Sequence, residues 1–115
     1  MSTNIGADAP CLLTTALGTE DEAETLASAL VEARLAGCVQ LTQVRSFYRW
    51  EGELRREPEW VLMVKTRMGR LAEAQAFIRE RHSYATPEIL VLPVAGGLPD
   101  YLQWLVDSTT PVSGQ

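Results

Sequence analysis

Hydrophobic and polar positions divide the chain into seven segments of two different periods. Cys11 to Leu17 is a short apolar run closed by Gly18 and Thr19, the pattern of a buried strand leaving into a turn. Thr19 and Glu22 have the spacing of a capping box, which predicts a helix start. Ala23, Leu26, Ala27, Leu30 and Ala33 then recur at three- and four-residue steps, and Gly37 is placed to end the helix in the left-handed conformation. From Cys38 to Trp50 the pattern is extended, with Val39 and Leu41 on one parity and Val44, Tyr48 and Trp50 on the other. That switch predicts a bulge or bend between Leu41 and Val44. Glu51-Gly52 reads as a turn and Trp60 to Lys65 as the returning strand, giving a long hairpin over residues 44–65 that keeps Pro58 out of a central paired position. Leu71, Ala74 and Ile78 mark a second helix with a poorly defined start beside Gly69. Ile89 to Val94 is a fourth strand, and Pro99 with Leu98, Tyr101, Leu102 and Leu105 predicts a short third helix.

This order of elements points to an α+β fold, a ferredoxin-like split βαβ sandwich (βαββαβ plus a C-terminal helix) with a long hairpin between its second and third strands. It predicts a single domain over residues 10–108, with residues 1–9 and 109–115 as loose tails. The third strand is apolar on both parities, Trp60, Leu62 and Val64 on one and Val61 and Met63 on the other. Two helices cover one face of such a sheet, so the other asks for a cover that a short chain cannot supply. A homo-oligomer of closed symmetry, built through the open sheet face and the hairpin, is the expected solution.

Composition narrows the function classes. With 115 residues, 46% of them hydrophobic and 22% charged, the chain has the makeup of one globular domain, which excludes wholesale disorder. A formal net charge of -5 argues against binding nucleic acid or an anionic membrane by charge. No apolar stretch approaches the roughly 18 residues of a membrane span, and no basic-then-apolar leader opens the sequence, so a cytoplasmic protein is expected. Cys11 and Cys38 are the only cysteines, too far apart for a CxxC motif, and His82 is the only histidine. No GxSxG, Walker or GxGxxG motif accompanies them, so the chain reads as a non-enzyme.

Several separate stretches share one resemblance. Leu35-Ala36-Gly37-Cys38-Val39-Gln40, Ser46-Phe47-Tyr48-Arg49-Trp50-Glu51-Gly52, Val64-Lys65-Thr66, His82-Ser83-Tyr84-Ala85-Thr86-Pro87-Glu88, and the spaced Gly97, Tyr101 and Trp104 stand in this order. Together they resemble the CutA family of divalent-cation-tolerance proteins, from about Leu12 to Val106. Thr14 stands where some relatives carry a cysteine, and Ser83 where the histidine is commonly followed by proline. The resemblance implies a ferredoxin-like homotrimer, similar in architecture to the PII signalling proteins, acting in tolerance or homeostasis of copper, zinc or another divalent cation. It also implies Cys38 and His82 as metal positions.

Two readings of the chemistry stand side by side. Thiolate and imidazole suit copper or zinc, yet two ligands fall short of the three or four a tight zinc site needs; the alternative is a small buried Cys38 and a His82 that caps the second helix. Trp50, Lys65, Tyr84 and Glu88 form a candidate cleft, since polar groups beside aromatic rings furnish small-ligand pockets. Their structural alternative is a Glu88–Lys65 ion pair, with the aromatic rings packed against another subunit. At the level of function, the alternative to metal tolerance is a PII-like signalling or adaptor module that binds a small molecule or a protein at its subunit clefts.

Overall fold

Thr19 caps the first helix as its spacing predicts: its backbone is extended and its hydroxyl accepts the Glu22 N–H at 3.2 Å. In the computed structural model, which describes residues 6–112, seven strands and helices follow in the expected order. They are β1 (Pro10–Leu17), α1 (Glu20–Glu32), β2 (Cys38–Trp50), β3 (Glu53–Arg67), α2 (Leu71–Arg81), β4 (Leu90–Pro93) and α3 (Pro99–Ser108). A short 3-10 turn, Met68–Arg70, leads into α2, whose N-terminal flanking residue Arg70 makes no side-chain capping bond. The four strands form one antiparallel sheet in the order β2-β3-β1-β4, the split βαβ arrangement. The outer parts of both predicted tails, residues 1–5 and 113–115, lie outside the described residues.

One face of the sheet carries the core. Leu13 stands opposite Val64, and Thr15 opposite Leu62, and these side chains are fully buried. Leu26 and Leu30 of α1 and Ala74 and Ile78 of α2 close over them. Burying a side chain such as Leu or Val contributes about 1.5–3 kcal/mol, so this layer dominates folding. The opposite face carries Val61 and Met63 of β3 beside Leu90 and Leu92 of β4, and leaves Met63, Leu90 and Leu92 exposed. The two-faced character of the third strand is therefore real, and within one chain its second face has little cover.

Local expectations need correction at several points. There is no bulge in β2: its register with β3 runs unbroken from Cys38 opposite Lys65 to Trp50 opposite Glu53. The apolar parity switches because the ribbon outruns the helices beyond Val44, where only its other face has anything to pack against. The hairpin is also longer than residues 44–65, while Pro58, opposite Arg45, stays out of a central paired position as expected. Proline is tolerated there because β1 joins β3 only from Trp60 onward, leaving one side of residue 58 without a second ladder.

Gly37 does not end α1 in the left-handed conformation; Arg34 does, at φ 59°, with Arg34 and Leu35 N–H bonded to the Val31 and Leu30 carbonyls as in a Schellman motif. Gly37 matters for a different reason, since a Cβ there would lie 2.7 Å from Leu105 Cδ1 of α3 and oblige that side chain to shift. Contacts of Arg67 also tie in residues on either side of 10–108. Thr109 is fully buried because the Arg67 guanidinium, itself 9% exposed, needs acceptors. Arg67 donates to Thr109 Oγ1 at 2.8 Å, the Thr109 carbonyl at 3.1 Å and the Ala7 carbonyl at 3.3 Å, with Asp8 3.6 Å away.

Candidate functional site

The hairpin turn sets the site's geometry. Glu51 and Gly52 both take positive φ, 52° and 80°, the two-residue turn whose twist matches paired strands. It places Tyr48 opposite Arg55, Ser46 opposite Glu57 and Val44 opposite Glu59, on the face of the ribbon that continues from Val61 and Met63. Facing them is the segment 84–88 that leads into β4. Between the two lies a cleft of about 580 Å³ lined by Trp50, Tyr48, Glu57, Glu59, Tyr84 and Glu88 among others, with Ala16 also on its wall.

His82 holds that segment in place. As the residue ending α2, it is 9% exposed, and its Nε2 lies 2.9 Å from the Ala16 carbonyl while its Nδ1 accepts the Tyr84 N–H at 3.1 Å. These partners require the Nε2–H tautomer, so Nε2 donates and both ring nitrogens are engaged. Tyr84 is thereby set over Gly18, where a Cβ would come within 3.1 Å of the phenol oxygen. Its hydroxyl donates to Glu59 Oε2 at 2.9 Å, and Tyr48 donates to Glu57 Oε1 at 2.7 Å. Desolvation, then the hydrogen bond to Glu59, holds the Tyr84 phenol well above its ordinary value; the bond to Glu57 chiefly does the same for Tyr48.

The candidate residues divide. Trp50, Tyr84 and Glu88 meet in the cleft, but Lys65 does not line it: it stands opposite Leu12 and Cys38. The expected Glu88–Lys65 pair is replaced by a hydrogen bond in which Thr14 Oγ1 donates to Glu88 at 3.0 Å. Cys38 and His82 are not brought together within the chain. Cys38 pairs with Lys65, whereas the carbonyl that His82 touches belongs to Ala16, opposite Val61. Four residues of β3 separate those levels, about 13 Å, and Cys38 is a further strand away. Among the described residues no group of three His, Cys, Asp or Glu side chains is placed to hold a metal ion. Cys38 is a free thiol at intermediate burial; Cys11 is buried, and burial pushes its thiol up from 9.0.

Sequence reasoning missed Tyr48, Arg55 and the two carboxylates. Glu59 stands a few residues from the turn, yet it is only 9% exposed. A signal was present: with the turn at 51–52, alternation alone puts 55, 57 and 59 on the face of 44, 46 and 48.

Comparison with known proteins covers this whole arrangement. The sequence profile described as CutA1 divalent ion tolerance protein matches residues 11–108. The divalent-cation tolerance protein CutA of Thermus thermophilus is 42% identical over 91 residues, 78% of this chain and 88% of the relative. That of Archaeoglobus fulgidus is 39% identical over 85 residues, 74% of this chain and 83% of the relative. The solved structure of CutA from Synechococcus elongatus superposes with a TM-score of 0.87 at 40% identity, covering 93% of this chain and 95% of that one. The chain therefore belongs to the CutA1 divalent ion tolerance protein family.

Proposed function

We propose that this protein acts in tolerance of divalent metal cations, as a self-assembling binding protein without catalytic chemistry. The observation that carries the reading is the family match over residues 11–108, which takes in the sheet, the hairpin and the cleft together. In cells lacking their own CutA and stressed with copper or zinc, expression of this chain restores growth. Unrestored growth at verified expression would sink the reading.

The chain assembles as a homotrimer in the cytoplasm. Assembly is supported by the exposed Met63, Leu90 and Leu92 on the face away from the helices, and a reducing compartment by the two free cysteines. Sedimentation at micromolar concentration should give three copies; a monomer would overturn the argument. Copper or another divalent cation binds weakly, through the Cys38 thiol and not through a Cys38–His82 chelate within one subunit. Anaerobic titration of the reduced protein with zinc(II), and with copper(I) as the reduced form of copper, should then lose its heat in Cys38→Ala and keep it in His82→Ala.

The cleft favours a second reading, in which the trimer is a PII-like module that binds a small molecule there. Its aromatic and carboxylate lining and its volume of about 580 Å³ suit a ligand pocket. Stabilisation by a metabolite, with no change in melting for any metal, would select this reading over direct metal binding.

A further inference from the structure

We propose that residues 6–9 form a strap that controls the docking of α3, with Arg67 as the clasp between them. Displacing the strap loosens the C-terminal helix, so the two ends of the domain open and close together.

α3 is poorly equipped to hold its own place. It has ten residues, short of the roughly 12–15 at which isolated helices become even marginal in water, and only Leu105 among them is buried. Leu98 at its start makes no side-chain capping bond, and its last turn has no basic residue to meet the negative end of the helix dipole. That cation comes from β3. The Arg67 guanidinium donates from Nε to Thr109 Oγ1 and from Nη2 to the Thr109 carbonyl, and Thr109 Oγ1 donates in turn to the Leu105 carbonyl at 2.8 Å. Arg34 adds only long, exposed bonds to the Asp107 and Thr110 carbonyls, at 3.4 and 3.5 Å.

The third nitrogen of the same guanidinium holds the other end of the domain. Nη1 donates to the Ala7 carbonyl at 3.3 Å and lies 3.6 Å from the Asp8 carboxylate. Backbone bonds seat the strap beside it: the Met68 N–H donates to the Ala9 carbonyl and the Gly69 N–H to the Ala7 carbonyl, both at 2.8 Å. Gly69 admits this approach, since a Cβ there would lie 3.0 Å from the Ala7 oxygen and 2.7 Å from Arg67 Nη1. Strap and helix therefore share one guanidinium that is only 9% exposed. While the strap covers it, water competes little for its donors. Once the strap is displaced, hydration of the guanidinium weakens its bonds to Thr109 and frees the end of α3.

The test is amide hydrogen exchange on the assembled protein, comparing the full chain with a variant lacking residues 1–8. Removing the strap should speed exchange of the Thr109 amide, which bonds the Leu105 carbonyl, at least about fivefold. Coupling is reciprocal, so Thr109→Val, which keeps the shape and removes the hydroxyl, should speed exchange of the Met68 and Gly69 amides at the strap. With Arg67→Lys as the background, neither change should reach the other end, because an ammonium cannot span the three acceptors. The Leu26 and Leu30 amides of α1 are the reference and should not change. An unchanged Thr109 amide in the deletion variant overturns the proposal, as do unchanged Met68 and Gly69 amides in Thr109→Val. A uniform rise that includes α1 reports global destabilisation in place of a local clasp, and overturns it as well.

Discussion

The β2–β3 ribbon is one unbroken ladder, yet its two halves are held by different forces. In the inner half β3 has β2 on one side and β1 on the other, and its Leu62 and Val64 are fully buried under the helices. In the outer half, residues 44–50 and 53–59, the strands have only each other, and Phe47, Trp50 and Leu54 are exposed. Isolated two-stranded hairpins are marginal in water, so the outer half is held by its rigid base. The difference separates tasks: the inner half fixes the fold, and the outer half presents Tyr48, Trp50, Glu57 and Glu59 to the cleft.

The sharpest way to break this comparison is to truncate one side chain in each half. Leu62→Ala should cost about 2–5 kcal/mol of unfolding free energy, the range for a fully buried leucine. Trp50→Ala should stay within about 0.5 kcal/mol, as surface substitutions do. Urea unfolding of both variants checks the contrast, and comparable losses would mean that the outer ribbon carries stability after all. His82→Ala falls between, because the ring ties the core to the cleft. Its loss leaves the Ala16 carbonyl and the Tyr84 N–H without their partners, for about 1–3 kcal/mol.

Legibility in the sequence follows the same divide. Elements governed by burial were readable, since a two- or 3.6-residue period records which side faces the core; Ala23, Leu26 and Leu30 identified α1 and its buried stripe together. Trp50, Tyr84 and Glu88 were found for the cleft because aromatic and polar groups stood in short recognisable stretches. Glu59 was not, because its burial depends on Tyr84 crossing from a segment 25 residues away. Lys65 was misassigned, and the Cys38–His82 pair separated, for a related reason: proximity across a sheet is decided by register, which residue type alone does not disclose.

Thr15, on the β1 strand beside the inner half, sharpens the comparison in the opposite direction. It is fully buried opposite Leu62, and among the described residues its hydroxyl has no hydrogen-bond partner. An unsatisfied buried hydroxyl is a cost, and valine has nearly the same shape. Thr15→Val should therefore raise stability by about 1 kcal/mol, read as a higher urea midpoint at unchanged m-value. A lower midpoint would show that the hydroxyl is satisfied, for instance by an internal water.

The smallest expected effect appears in alkali and separates the core from the cleft by pH. Desolvation and the bond to Glu59 raise the Tyr84 phenol in the folded chain above its ordinary 10.0, and burial raises Cys11 above 9.0. Below those values each group is protonated in both states and the native arrangement is intact. Above them the unfolded chain gives up protons that the folded chain retains, so stability falls as pH rises. The Cys11 contribution begins near pH 9 and belongs to the core; that of Tyr84 begins near pH 10 and belongs to the cleft. Tyr84→Phe should therefore follow the parent protein between pH 9 and 10 and lose stability less steeply beyond it. Because the phenol is partly open to solvent, the divergence should be modest, and parallel curves above pH 10 would show that Tyr84 does not hold its proton against Glu59.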